Sequence, residues 1–136
     1  MREAIIIFTR VPVAGKTKTR LEAMISPEEC AQLHRCFLRD LKRLCEDSGR
    51  KCFVFYTPSG MNKSLYPLLG KDNTYGPQKG KNLGERMHNA IEHVLGAGYG
   101  SCVLTGTDIP ELERADIVQA FNCLRESDVV FGPTSD

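Results

Sequence analysis

Arg10, Lys16, Lys18 and Arg20 follow the apolar run Ala4 to Phe8 within the stretch FTRVPVAGKTKTRL, with no acid before Glu22. Cations gathered in one loop bind anions through charge-assisted hydrogen bonds, and Gly15 close to Pro12 permits an unusual backbone path beside such a ligand. The stretch contains Gly-Lys-Thr. The phosphate loop G-x-x-x-x-G-K-[ST], however, requires its first glycine where this chain has Arg10. A P-loop also opens a helix at its lysine, whereas the first capping signal here is Ser26. The spacing therefore points to an extended phosphate-binding loop, with a solvated basic turn as the plainer alternative.

Two further stretches could do chemistry. In GPQKGKNLGERM, Gly76 to Met87, Gly80 and Gly84 flank Asn82 at the expected start of a helix. Close backbone approach to a ligand explains them as well as a plain turn capped by Asn82, with Glu85 at the third position. In LTGTDIPEL, Leu104 to Leu112, Asp108 leaves the end of an apolar strand. A carboxylate there can hold Mg²⁺ or Mn²⁺, hard cations that take oxygen ligands and keep several waters; a helix cap is the alternative. His34, His88 and His93 all fall in helical patterns and read as satisfied or solvated, so no catalytic base is assigned to them.

The elements that must position these loops alternate between short apolar runs and amphipathic segments, the pattern of parallel strands joined by helical crossovers. Strands are expected at Ala4–Phe8, Cys52–Tyr56, around Asn73–Tyr75, at Cys102–Thr105 and at Val129–Phe131. Ser26-Pro27-Glu28-Glu29 combines an N-cap serine, a first-turn proline and a capping-box glutamate. The helix it starts should bury Cys30, Leu33, Phe37, Leu41 and Leu44, leave Arg35, Arg39, Lys42 and Arg43 in solvent, and end near Ser48-Gly49. Further helices are expected over Asn62–Leu69, over Leu83–Leu95 with an apolar face of Leu83, Met87, Ala90, Ile91, Val94 and Leu95, and over Asp116–Arg125. In an open parallel sheet ligands bind at the carboxyl ends of the strands, where all three loops would meet.

Composition bounds the function. With 136 residues and 41% hydrophobic content, one domain spanning 1–136 is expected. A net charge of +1 and the lack of a lysine-arginine tract exclude a nucleic-acid binder working by bulk electrostatics. Residues 1 to 51 carry eleven Lys/Arg against seven Asp/Glu, and residues 52 to 136 carry seven against ten, so a site at the loops can draw on both signs. The six cysteines form no C-x-x-C pair and read as reduced, mostly packed residues. No apolar run is long enough to span a bilayer, and no signal peptide is visible, so a cytoplasmic location without a membrane partner is expected.

The set FTRVPVAGKTKTRL, QKGKNLGERM, GTDIPEL and VVFGPTSD, in this order, resembles glycosyltransferases and nucleotidyltransferase-like proteins of the GT-A fold. More narrowly it is similar to the glycosyltransferase-like branch found in radical-enzyme and arsenosugar gene neighbourhoods, related to molybdenum cofactor and phospholactate guanylyltransferases. The resemblance covers nearly the whole chain. It implies an α/β, Rossmann-like three-layer sandwich with a mostly parallel sheet that binds a nucleotide sugar or nucleoside triphosphate with a divalent cation and transfers a glycosyl or nucleotidyl group. It assigns phosphate binding to Arg10, Gly15, Lys16, Lys18 and Arg20, shaping of the nucleotide pocket to Gln78, Gly80 and Arg86, and the metal to Asp108, here a single carboxylate where many relatives carry Asp-x-Asp. Lys18, Arg20 and Asp108 would act on the departing diphosphate. Family members continue beyond the equivalent of GPTSD, so the chain is expected to be a C-terminally truncated, nucleotide-binding part. A P-loop NTPase, or a non-catalytic module that self-associates through an uncovered sheet edge, are the competing readings.

Overall fold

The computed structural model describes residues 2–12, 26–106 and 114–125. The apolar run forms β1, Glu3–Arg10, in which every residue from Ala4 to Thr9 is buried. A strand buried on both faces needs helices above and below it. The chain supplies them as β1, α1 (Pro27–Ser48), β2 (Lys51–Thr57), a single 3₁₀ turn (Asn62–Ser64), α2 (Tyr66–Leu69), β3 (Thr74–Pro77), α3 (Leu83–Gly96), β4 (Ser101–Thr105) and α4 (Arg114–Leu124). The four described strands are all parallel, in the order β3-β2-β1-β4. The α/β three-layer architecture expected from the sequence is present; the strand expected at Val129–Phe131 lies outside the described residues.

Alternation along the strands divides the core. Ile5, Ile7, Cys52, Val54 and Tyr56 point to one face, against Leu38 and Leu41 of α1, Leu68 and Leu69 of α2, and Ile117 and Phe121 of α4. Ala4, Ile6, Phe8 and Phe53 point to the other, against Ala90 and Val94 of α3. The expected start of α1 is realised in full. Ser26 Oγ accepts from Glu29 N at 3.1 Å, and Glu29 Oε1 accepts from Ser26 N at 3.1 Å. The helix closes at Gly49, whose φ of 70° favours glycine.

Several expectations are corrected. The buried stripe of α1 is Cys30, Ala31, His34, Leu38, Leu41 and Cys45, turned by roughly 70° from the expected Cys30, Leu33, Phe37, Leu41 and Leu44. Leu33, Phe37 and Leu44 are only half-buried, because the small residues Cys30, Ala31 and Cys45 face the sheet and the larger ones flank them. Asn62–Leu69 is not one helix: Pro67 has no N–H for the carbonyl of Lys63 and would clash with it, so a 3₁₀ turn and a short helix replace it. Leu83 and Leu95, placed on the apolar face of α3, are 63% and 43% exposed. Leu95 lies well off the Ala90–Val94 line, and Leu83 is the helix's first residue, beyond the packed layer. All six cysteines are free thiols, but Cys36 and Cys123 are exposed rather than packed.

Candidate functional site at the carboxyl ends of the strands

The helical crossovers run to opposite sides of β1: α1 leads from β1 to β2 on one side, and α3 brings the chain from β3 across the other face to β4 on the far side. Strand order therefore reverses between β1 and β4, and the crevice beyond their carboxyl ends is where open α/β sheets bind ligands. The two ends are uneven. Ile7 pairs with Thr105 at the end of β4, whereas β1 runs on through Arg10, paired with Thr57 of β2. Val11 N extends that ladder to Thr57 O at 2.8 Å.

The projecting end of β1 is held by side chains. His34, on the buried stripe of α1, places Nε2 at 2.9 Å from Arg10 O and 3.0 Å from Thr9 Oγ1. A carbonyl only accepts, so Nε2 carries its hydrogen; the Thr9 hydroxyl in turn donates to Arg10 O at 2.9 Å. Thr9 and His34 are each 3% exposed, while the Arg10 side chain is exposed. The backbone of Arg10 is thus fixed and its guanidinium is open to solvent. Arg35, expected in solvent, is half-buried and donates from Nη2 to Pro12 O at 3.5 Å, bracing the start of the basic loop.

The second loop is tied to the same place. Gln78 N donates to Tyr56 O at 2.9 Å, and Gln78 Nε2 donates to Phe55 O at 3.1 Å and Thr9 O at 3.3 Å. One side chain therefore clamps the ends of β1 and β2. Beyond it the loop folds back on α3: Arg86 Nε donates to Gly80 O at 3.1 Å, and Asn89 Nδ2 to Lys79 O at 2.9 Å. Asn82 caps α3 by accepting from Glu85 N at 2.9 Å, and Glu85 Oε2 accepts from Lys81 N at 3.2 Å. Gly80 has φ +146°, and a Cβ there would lie 2.8 Å from Arg86 N and 2.9 Å from Glu85 Cβ. Only glycine fits this close turn.

Of the residues expected at the site, Arg10, Gln78, Gly80 and Arg86 are described. The structure links Gln78 to the β1 end and Gly80 to Arg86. Gly15, Lys16, Lys18, Arg20 and Asp108 lie outside the described residues. Asp108 follows Thr105, which is 8% exposed and donates from Oγ1 to Gly106 O at 3.0 Å. Among the described residues no group of three or more His, Cys, Asp or Glu is placed to hold a metal. His34 and Thr9 were missed as parts of the site. The available signal was a histidine on the inward stripe of α1, which becomes visible only once that stripe is correctly phased.

A family model described as "Uncharacterized protein conserved in bacteria (DUF2064)" matches residues 40–136. The chain belongs to this family. In the DUF2064 chain the match begins within α1 and takes in Gln78, Gly80, Arg86 and Asp108. A solved structure from Desulfovibrio desulfuricans G20, provisionally named a nucleotide-diphospho-sugar transferase, is 30% identical with a TM-score of 0.85. The alignment covers 92% of the DUF2064 chain and 55% of that structure, so the present chain spans little more than half of its neighbour's length. Among curated proteins nothing matches. No helix among the described residues is long and apolar enough to cross a membrane.

Proposed function

We propose that the chain is the nucleotide-binding part of a GT-A-type transferase that takes a nucleotide sugar or nucleoside triphosphate and transfers its glycosyl or nucleotidyl group. The observation that carries this reading is the reversal of strand order between β1 and β4, with the braced Arg10 at one lip and the strand leading to Asp108 at the other. The likeness to a protein provisionally named a nucleotide-diphospho-sugar transferase supports the same class. Within DUF2064, the narrower kinship with the arsenosugar-neighbourhood branch and the guanylyltransferases rests on the sequence motifs alone.

In this reading Arg10, Lys16, Lys18 and Arg20 bind the diphosphate and stabilise the charge that builds up on it as the bond to the transferred group breaks. Gly15 gives the loop room to wrap the phosphates. Gln78 and the Gly80–Arg86 contact hold the second loop as the wall of the nucleotide pocket. A lone carboxylate fits a hard cation that keeps most of its waters, so Asp108 would hold Mg²⁺ or Mn²⁺, which supplies further positive charge at the diphosphate. No covalent nucleophile is required, and His34, bonded into the β1 end, is a positioning residue.

Calorimetric titration with nucleoside diphosphates, triphosphates and nucleotide sugars, with and without Mn²⁺, tests the proposal. Manganese-dependent binding in the wild type and its loss in Asp108→Asn is expected. Binding that is indifferent to both manganese and Asp108 would remove the metal from the reading. Binding lost equally in Arg10→Ala, Lys16→Ala and Arg20→Ala would support a shared phosphate loop, whereas loss in Lys16→Ala alone would favour a P-loop.

A further inference from the structure

The function proposed above uses none of the thiols, and two of them meet at the opposite edge of the sheet. Cys45, in the last turn of α1, and Cys52, the second residue of β2, are each 5% exposed within the larger core cluster. Both line a cavity of about 120 Å³ at the amino ends of the strands, walled also by the cations Lys42 and Arg50 and the carboxylates Glu46 and Asp72. The left-handed turn at Gly49 returns the chain from helix to strand and sets the two thiols on the wall of this one cavity, close enough for each to shift the other's acidity. Buried cysteines are ordinarily inert packing. Here a cavity reaches both.

The two sulfurs are not equivalent. Hydrogen bonding from the Cys45 side chain holds the Cys52 thiol below its ordinary value, with help from the Lys51 ammonium and against the opposing effects of burial and of the Glu46 carboxylate. The same hydrogen bond, and then burial, push the Cys45 thiol far up. When protonated, Cys52 has a second partner in Arg50 O at 3.8 Å. Cys52 is therefore the more acidic thiol of the pair, and its thiolate the nucleophile. Reactivity toward peroxides follows the thiolate.

We propose that Cys45 and Cys52 are a peroxide-oxidisable dithiol, a covalent modification site separate from the carboxyl-edge crevice. Cys52 gives its thiol proton to solvent, and the thiolate attacks the terminal oxygen of a hydroperoxide. The O–O bond breaks, and the other oxygen leaves as an alkoxide that takes a proton from solvent to become an alcohol, or as hydroxide that becomes water when the oxidant is hydrogen peroxide. This gives a sulfenic acid on Cys52. The Cys45 sulfur then attacks that sulfur, the S–O bond breaks, and the Cys45 proton leaves with the hydroxide as water. Two thiols and one hydroperoxide become one disulfide, one alcohol and one water; the sulfurs lose two electrons, which the peroxide gains. The product staples the end of α1 to the start of β2.

The test uses the full chain, reduced, treated with hydrogen peroxide, alkylated and digested with trypsin. Peptide 44–50 joined to peptide 52–63, at about 2 Da below the sum of the two reduced peptides, is expected, with Cys36 and Cys123 still alkylated. Oxidation confined to Cys36 and Cys123, with Cys45 and Cys52 both alkylated, would overturn the proposal, as would cross-links that pair Cys45 or Cys52 with other cysteines. The order of events has its own readout. Cys45→Ser, whose hydroxyl can still donate to the Cys52 sulfur, should leave a sulfenic acid on Cys52 that dimedone labels, and Cys52→Ser should leave Cys45 unlabelled; equal labelling in both overturns the assignment of the nucleophile. The wild-type cross-link decides the proposal even if a variant fails to fold, and its outcome is independent of whether the crevice binds a nucleotide.

Discussion

The two edges of the sheet use similar side chains in opposite ways. At the amino edge the cations meet protein partners: Arg50 Nε donates to Glu3 Oε1 at 3.0 Å while its guanidinium lies 4.4 Å from the centre of the Phe121 ring, and Arg2 lies 4.2 Å over Tyr99. At the carboxyl edge, among the described residues, protein groups hold backbone rather than charge. His34, Thr9 and Gln78 bond to carbonyls of Arg10, Thr9 and Phe55, and the Arg10 side chain is left exposed. An edge that pairs its charges internally stabilises the fold; an edge that fixes its backbone and exposes its charge has the preorganisation that the proposed ligand site requires.

Variants at the carboxyl edge should therefore lower both stability and nucleotide affinity, and variants at the amino edge stability alone. The largest effect is expected for His34→Ala, which empties a buried site and removes the imidazole bond to the Arg10 carbonyl and Thr9 hydroxyl, leaving those two groups only each other. About 3 kcal/mol should be lost in urea unfolding, with weaker binding of whichever nucleotide the calorimetric panel identifies. Affinity unchanged after that loss of stability would mean that the β1 end is not part of the ligand site. Gly80→Ala should cost about 2 kcal/mol, since the added Cβ meets backbone at 2.8 Å and φ is +146°. If its urea midpoint matches the wild type, the loop at Gln78–Asn82 is not held in this geometry. Gln78→Ala, at a half-buried position, should cost about 1 kcal/mol in stability while weakening nucleotide binding at least as much as Gly80→Ala does.

How much of this was legible beforehand differs between the same two regions. The parallel sheet, the Ser26 cap and the Asn82 cap were readable because each is a local pattern: an apolar run, or a capping residue three positions ahead of its partner. Gly80 was flagged for backbone freedom, and the structure supplies the contact that demands it. The bracing of Arg10 by His34 was not readable. It depends on the rotation of α1 about its axis, and the sequence presents two overlapping stripes, one richer in leucine and phenylalanine and one containing Cys30, Ala31, His34 and Cys45. Choosing the more hydrophobic stripe put His34 off the packed face. The same choice left Cys45 out of the expected buried stripe and hid its place beside Cys52 on one cavity wall, which also depends on the turn at Gly49. Gln78 was reached through family resemblance alone, because its clamp joins residues far apart in the chain.

The smallest expected effect sharpens the comparison from the amino edge. The Tyr75 hydroxyl donates to Gly70 O, and its ring packs edge-on against Tyr66 at 5.0 Å. Burial, the largest influence, pushes the phenol above its ordinary value. A raised folded-state value means that the neutral form is the one the fold favours, so this contribution is fully present below about pH 10, the ordinary value for tyrosine. It is lost as pH rises through the folded value, where the unfolded chain is already ionised and the folded phenol must give up its proton. Because Tyr75 is only half-buried, solvent screens the effect, and Tyr75→Phe should cost about 0.5 kcal/mol near neutral pH. Urea midpoints measured across alkaline pH should fall more steeply for the wild type than for Tyr75→Phe, with nucleotide affinity the same in both at neutral pH. A change in that affinity would show that the amino edge communicates with the crevice along β3, and the separation between a self-paired edge and a ligand-ready one would no longer hold.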